Sequence, residues 1–326
     1  MTQTPLAPAA AVSAPDAPDI PLRTYQRVLR ALALAACLPY LSLKIAWLSG
    51  SVVGIPEGSS LRRPGSALVV GNAVSVVLDA TLVVIVLLLT RPWGLRVPSW
   101  LPAVPVFVAT GLLTPIVAGF PLQLAVRGAG GGGGAAREPF LDGWVFSVVY
   151  SGFIVQALAL AGLFVPYAIR RWGRLWRTGP DTPVARRYRA AAIAAALVAL
   201  AVGALHLMWA CGSTAGLDAG RIAEVGSDTR ALNAVYVLLS LIAAVGVPAL
   251  VLRRDHRRTA LALAWTGSAA LGCWGAWMAL SAALRPLGDT DGGATGLLYL
   301  TYAGQMIVGL LGAVVLTRFL TARRAS

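Results

Sequence analysis

Long apolar stretches alternate along the chain with short segments rich in Arg, Gly, Pro and acidic residues. A helix that crosses a bilayer needs roughly 20 consecutive apolar residues. Eight stretches meet this length, at residues 28–49, 66–90, 99–124, 143–169, 188–212, 231–252, 259–284 and 295–319. The pattern therefore predicts an all-α, polytopic integral membrane protein with about eight transmembrane helices.

The third stretch differs from the others because it is rich in proline. Pro102, Pro105, Pro115 and Pro121 each lack a backbone N–H, and proline inside a helix bends or breaks it. We therefore expect this helix to be kinked or partly unwound.

Composition agrees with a membrane protein, since 57% of the residues are hydrophobic, 12% are charged and the mean hydropathy is +0.74. A soluble domain needs more polar surface than this. The net charge of +14 would suit nucleic acid, but the arginines lie in short segments between apolar runs, which excludes a nucleic-acid partner. Cys37, Cys211 and Cys273 lie within apolar runs, where we expect them to act as small core hydrophobes.

The arginines are unevenly shared between the two sides that alternate connections define. Most of them, including the clusters within 170–189 and 253–258, lie on the side of the termini, and most acidic residues lie on the other side. By the positive-inside rule both termini are cytoplasmic, and the arginine clusters would attract anionic lipid. The Arg-, Ala- and Gly-rich composition is typical of GC-rich bacterial genomes, which indicates a multi-pass protein of the bacterial cytoplasmic membrane.

An internal repeat divides the chain into two parallel tandem four-helix halves. The first helix ends with Lys44-x-x-Trp47-x-x-Gly50-Ser51-x-x-Gly54, and the fifth ends with His206-x-x-Trp209-x-x-Gly212-Ser213-x-x-Gly216. Asn72 and Asn233, then Tyr150 and Tyr302, follow in the same order in the two halves. An even number of spans in each half gives both the same orientation. The predicted organisation is a disordered cytoplasmic tail at 1–26, a first half at 27–172, a basic cytoplasmic linker at 173–187 and a second half at 188–326.

The pattern His-x-x-Trp-x-x-Gly from His206 to Gly212 resembles a signature of small, uncharacterised four-helix bacterial membrane proteins. In the first half Lys44 takes the place of the histidine, so that half departs from the pattern. The resemblance implies a four-helix membrane unit and, because those proteins have no assigned chemistry, it implies no function.

Polar and titratable residues within the apolar stretches form the candidate site. They are Lys44, Asp79, His206, Asn72, Asn233, Tyr150, Tyr302, Gln156 and Gln305. Intramembrane charges are costly and often functional. Lys44 is the single lysine of the chain, and it either snorkels to the interface or has a functional or pairing role. Asp79 could pair with Lys44, although helical rise separates their depths by about 10 Å.

Structural interpretations compete with the functional ones for the remaining candidates. His206 suits a hydrogen-bonded helix–helix contact, and the Asn, Gln and Tyr side chains suit bonds between helices. Trp47 and Trp209 are expected in the interfacial aromatic belt. Ser240 occupies the position in the second half that matches Asp79, so any role of the carboxylate is confined to the first half.

The sequence lacks the spacing of a phosphate-binding loop, a zinc site, a nucleophile elbow or paired catalytic acids, so no cofactor or metal is predicted. We expect a non-enzymatic membrane protein, either a small-solute permease or the membrane subunit of a complex, with an outward-facing polar site. Two alternatives stay open: a membrane-embedded enzyme that uses Lys44, His206 or Asp79 as acid or base, and a scaffold or assembly factor.

Overall fold

The computed structural model describes residues 22–62, 66–98, 100–128, 141–177, 186–252, 257–283 and 295–322. Within these ranges the chain is helical and contains no strand. The long helices are α1 (Thr24–Leu48), α2 (Ser66–Thr90), α3 (Trp100–Gly128), α4 (Gly143–Arg177), α5 (Arg186–Ala210), α7 (Ser227–Leu252), α8 (Arg257–Ala283) and α9 (Gly296–Ala322). Three short elements were not predicted: 3-10 turns at Ser60–Arg62 and Pro92–Leu95, and the five-residue helix α6 (Ala219–Ala223).

The helix ends lie within about one helical turn of the predicted stretches, except that α4 continues through Arg177 into the segment assigned to the basic linker. Most of the predicted tail at 1–26 lies outside the described residues, and α1 already begins at Thr24.

Seven of the eight long helices are long and apolar enough to cross a membrane. This is the composition of a multi-pass α-helical membrane protein. The exception is α8, whose glycine, serine, threonine and tryptophan residues lower its mean hydropathy. It is nevertheless an interior helix, because Ala264, Ala269, Ala270 and Leu271 have no exposed surface.

The long helices pack as two bundles with the same pattern of neighbours. In the first bundle α1 packs against α2 and α4, and α3 packs against the same two helices. In the second bundle α5 packs against α7 and α9, and α8 packs against the same two helices. Each bundle has its own apolar core, centred on Val86 and Leu163 in the first and on Val247, Leu271 and Val308 in the second.

The two bundles meet mainly through α3, which packs against α7 and α8. A Cβ atom added at Gly111 would lie 2.3 Å from the Ala269 carbonyl oxygen, so the backbones of α3 and α8 are close at this point. The Trp274 indole N–H donates to the Leu112 carbonyl at 3.1 Å. At the end of α3, Arg127 forms an ion pair with Asp228 at the start of α7.

The unwinding expected for the proline-rich third helix does not occur. α3 is one α-helix from Trp100 to Gly128 with Pro105, Pro115 and Pro121 inside it. Thr110 and Thr114 donate their hydroxyls to carbonyls one turn earlier, and neighbouring helices cover Pro115. In lipid, side-chain and packing contacts of this kind maintain helices that contain proline.

The turn between α2 and α3 is attached to α4 by two side chains. The buried Tyr167 hydroxyl donates to the Gly94 carbonyl at 2.8 Å. Arg171 donates to the same carbonyl and to the Tyr167 oxygen, both at 2.8 Å, and also to the Val97 carbonyl. The sequence indicates Arg171 only as a topology signal. In the structure it also stabilises a turn.

We expect Tyr167→Phe to lower the free energy of unfolding by about 1 kcal/mol. The substitution keeps the ring but removes the bond donated to Gly94 and the bond accepted from Arg171, while Arg171 still donates to the Gly94 carbonyl. Titration with sodium dodecyl sulfate in mixed micelles, followed by far-ultraviolet circular dichroism, measures this change. Tyr25→Phe is the control, since Tyr25 is 46% exposed on α1. Equal free energies of unfolding for the two variants would show that the hydrogen bonds of the Tyr167 hydroxyl contribute no net stability.

Candidate functional site

The Trp-containing helix ends that repeat in the sequence have the same conformation in both bundles. The Trp47 indole N–H donates to the carbonyl of Val53, six residues later, at 2.8 Å. The Trp209 indole N–H donates to the carbonyl of Ala215, again six residues later, at 3.1 Å. Each tryptophan therefore closes the turn that follows its own helix, and we call these two segments, 47–54 and 209–216, the Trp–Gly turns.

Glycines make the two Trp–Gly turns possible because four of them have positive φ angles. The values are 90° at Gly50, 95° at Gly212, 72° at Gly54 and 73° at Gly216. Residues with a side chain rarely adopt these angles. Each turn also binds the start of the last helix of its bundle: the Gly54 carbonyl accepts from the Asp142 backbone N–H at 2.9 Å, and the Gly216 carbonyl accepts from the Thr295 hydroxyl at 2.5 Å.

Lys44 lies half-buried below the first Trp–Gly turn. Its ammonium donates to the Asn72 side-chain oxygen at 2.9 Å, which joins α1 to α2. It also lies 4.9 Å from the ring centroids of Tyr40 and Trp47, within the range of cation–π attraction. The sequence predicts Lys44 and Asn72 as members of the candidate site but does not pair them, and the structure joins them directly.

Two buried polar residues lie deeper in the first bundle. Asp79 is 4% exposed, and its Oδ2 atom has no hydrogen-bond partner among the described residues. Gln156 has no exposed surface and donates to the Cys37 sulfur at 3.1 Å, while its Oε1 atom has no partner in the same part of the chain. Lys44 bonds to Asn72 rather than to Asp79, in agreement with the difference in depth.

Helical spacing aligns these residues into what we call the first-bundle polar column. Residues three and seven positions apart share one face of a helix. The column consists of Cys37, Tyr40 and Lys44 on α1, Asn72, Ser75 and Asp79 on α2, and Gln156 on α4. Tyr150 lies beside it, in ring contact with Phe120 at 4.9 Å and with Phe153 at 6.4 Å.

His206 occupies the position in the second bundle that corresponds to Lys44, and both of its ring nitrogens are bonded. Nδ1 lies 2.8 Å from Asn233 Oδ1, and Nε2 lies 3.0 Å from Gln305 Nε2. The Asn233 amide nitrogen donates to the Thr229 carbonyl, so the Asn233 side-chain oxygen accepts a hydrogen bond from the Nδ1–H group of His206. The ring also stacks on Tyr236 at 4.8 Å. His206 thus joins α5, α7 and α9, as its structural interpretation predicts.

Matching positions in the two bundles therefore carry different side chains. The corresponding asparagines, Asn72 and Asn233, accept from Lys44 and His206 respectively. At the next polar level the first bundle carries the carboxylate of Asp79, whereas the second carries the small hydroxyl of Ser240, which has no exposed surface. A buried carboxylate costs much more than a hydroxyl to keep away from water. The first bundle is therefore the stronger candidate for a functional site.

Trp209 is 5% exposed and packs against Leu298 and Tyr302. One expectation about side-chain location is wrong. Cys211 is exposed in the second Trp–Gly turn rather than buried, whereas Cys37 is buried as expected.

The site residues predicted from the sequence do not include Cys37, Tyr40, Ser75 or Tyr236. The first three could have been found from their spacing relative to Lys44 and Asp79 on the same helices. Tyr236 could not, because only the packing of α5 against α7 brings it to His206.

Within the described ranges, no group of three or more His, Cys, Asp or Glu residues could hold a metal ion. Comparison of the chain with protein-family models, curated proteins and solved structures finds no match.

Proposed function

We propose that the protein is a small-solute permease of the bacterial cytoplasmic membrane, built from two parallel four-helix repeats with both termini in the cytoplasm. α8 would be the eighth span, since it lies buried between α7 and α9, which are both apolar enough to cross a membrane. The matching Trp–Gly turns and the matching helix neighbours support the repeat.

The observation that carries the transport proposal is the first-bundle polar column. It places the Lys44–Asn72 bond near one end of the bundle and the buried carboxylate of Asp79 inside it. Asn72 and Asp79 are seven residues apart on α2, about 10 Å along the helix. Buried charges and incompletely bonded polar atoms within a membrane mark solute and ion pathways.

The position of Lys44 indicates where a solute would enter. Lys44 is half-buried and lies just below the Trp–Gly turn, at the bundle end away from the start of α1. With cytoplasmic termini, this end of the column would face the outside of the cell. A solute would displace Asn72 from the ammonium and then meet Asp79 and Gln156 deeper in the bundle.

The second bundle would act as the support. Gly272 and Gly309 bring α8 and α9 into close backbone contact, and His206 bonds α5 to α7 and α9. These contacts suit a rigid unit against which the first bundle can move.

Stopped-flow light scattering tests the proposal with the full chain in liposomes under gradients of glycerol, urea or glycine. We expect at least one of these solutes to enter faster than into protein-free liposomes. Asp79→Asn and Lys44→Met should each slow that entry by at least about tenfold, because each removes a charge from the pathway; tenfold corresponds to ~1.4 kcal/mol in the barrier.

Thr81→Val is the matched control, because the Thr81 hydroxyl donates to the Val77 carbonyl within α2 and lies outside the column. Circular dichroism and gel filtration identify variants that fold. Folded Asp79→Asn and Lys44→Met proteins with wild-type rates would refute the site. If the wild-type protein accelerated none of the three solutes, the scaffold alternative would be favoured.

A further inference from the structure

A deep apolar groove lies between the two bundles, separate from the polar column. It has a volume of about 1130 Å³, and α3, α4 and α8 form most of its wall, with smaller contributions from α2 and α9. On α3 its lining extends from Trp100 to Ala118. At about 1.5 Å per residue this is roughly 27 Å of helix, similar to the ~30 Å hydrocarbon core of a bilayer.

The groove offers few hydrogen-bond donors to a ligand. Apart from one arginine and three tryptophan indoles, its polar residues are threonines, and most of the threonine hydroxyls are used within their own helices. Thr110 donates to Val106, Thr114 donates to Thr110, and Thr317 donates to Ala313. Hydroxyls that are already bonded leave little polar surface for a ligand, which suits a hydrocarbon chain rather than a polar solute.

The charged end of the groove lies where α3 and α8 begin. Arg258 is exposed and lines this end together with Trp100 and Trp172. An arginine beside tryptophans at the end of an apolar groove matches a lipid, since the guanidinium can bind a phosphate while the rings lie at headgroup depth.

We propose that the groove binds one anionic phospholipid, with an acyl chain between α4 and α8 and its phosphate on Arg258. The chain would pack against Phe164 and Trp265, which are stacked at 6.3 Å. Such a lipid would fill the space that remains between α4 of the first bundle and α8 of the second. The proposal does not depend on solute transport.

Quenching of tryptophan fluorescence by brominated lipid tests it. The full chain is placed in phosphatidylcholine nanodiscs with increasing fractions of phosphatidylglycerol brominated on its acyl chains. The signal of interest is the difference between the wild-type protein and Trp265→Phe, because Trp265 lines the groove. We expect this difference to saturate at a fraction of brominated phosphatidylglycerol about fivefold lower than the fraction of brominated phosphatidylcholine that is needed. One basic residue near an anionic headgroup provides an increase in affinity of about this size.

Two variants distinguish binding of the acyl chain from binding of the lipid headgroup. Ala161→Phe fills the groove and should abolish saturable quenching, whereas Ala194→Phe, on an exposed part of α5 outside the groove, should not. Arg258→Gln should remove the fivefold preference for phosphatidylglycerol and leave the contact with the acyl chain. Arg27 is exposed on α1, so Arg27→Gln should change neither the preference nor the contact.

Equal curves for the two brominated lipids, or quenching that Ala161→Phe leaves saturable, would overturn the proposal. Arg258→Gln lies at the exposed end of the groove, so its result remains decisive if Ala161→Phe does not fold.

Discussion

Gly309→Ala is expected to lower the free energy of unfolding by about 3 kcal/mol, because added atoms in a tightly packed contact force the helices apart. A Cβ atom at Gly309 would lie 2.4 Å from the Cα atom of Gly272, and one at Gly272 would lie 2.8 Å from that of Gly309. No rotamer change can relieve a contact with backbone. α8 and α9 must therefore separate, and Ser268 and Val247 beside Gly312 lose contacts as they do.

Gly71→Ala is the matched control, since Gly71 lies within α2 and a Cβ atom there would meet nothing within 4 Å. Alanine favours helix over glycine by about 0.5–1 kcal/mol, so this variant should be unchanged or slightly more stable. Denaturation by sodium dodecyl sulfate, followed by circular dichroism, measures both. A Gly309→Ala protein as stable as Gly71→Ala would mean that α8 and α9 do not cross at these glycines.

His206→Leu is expected to lower the free energy of unfolding by about 2 to 4 kcal/mol. Leucine fills a similar volume but removes the bonds to Asn233 and Gln305, and it leaves the Asn233 oxygen and the Gln305 amide nitrogen without their present partner. Each buried polar atom left without a partner costs about 1–3 kcal/mol. The variant also loses the stacking on Tyr236.

Leu207→Ala serves as the control for His206→Leu, because Leu207 is the next residue and is 51% exposed. In the same detergent titration, Leu207→Ala should lower the free energy of unfolding by less than about 1 kcal/mol, as expected of substitutions away from the core. If His206→Leu were as stable as wild type or more so, the polar contacts among α5, α7 and α9 would contribute no net stability.

The helices of this protein were predictable because lipid imposes a simple rule on sequence. A bilayer requires every backbone donor to be bonded, so long apolar runs become helices with ends near the first charges. The ends of α2 at Ser66 and Thr90 were predicted at the residue. The end of α4 was not, because its arginines continue the helix to Arg177 beyond the apolar run, where hydropathy gives no signal.

The candidate site was predictable in its members but not in its contacts. Polar residues in apolar stretches are conspicuous, so Lys44, Asn72 and Asp79 could be identified individually. Their pairing depends on how far α1 and α2 slide along each other, which no residue pattern specifies. The role of Arg171 was missed for a related reason, since an arginine near a helix end looks the same whether it faces water or donates to Gly94.

The Trp–Gly turns explain how two similar bundles can hold such different side chains. Trp47 and Trp209 each donate to a carbonyl six residues later in the chain. Neither turn therefore needs a contribution from the residue three positions before its tryptophan, which is Lys44 in the first bundle and His206 in the second. Lysine at 44 and histidine at 206 can thus be exchanged for other residues while the helix still ends in the same place. Such independence leaves one bundle free to acquire new chemistry while the other bundle keeps the architecture intact.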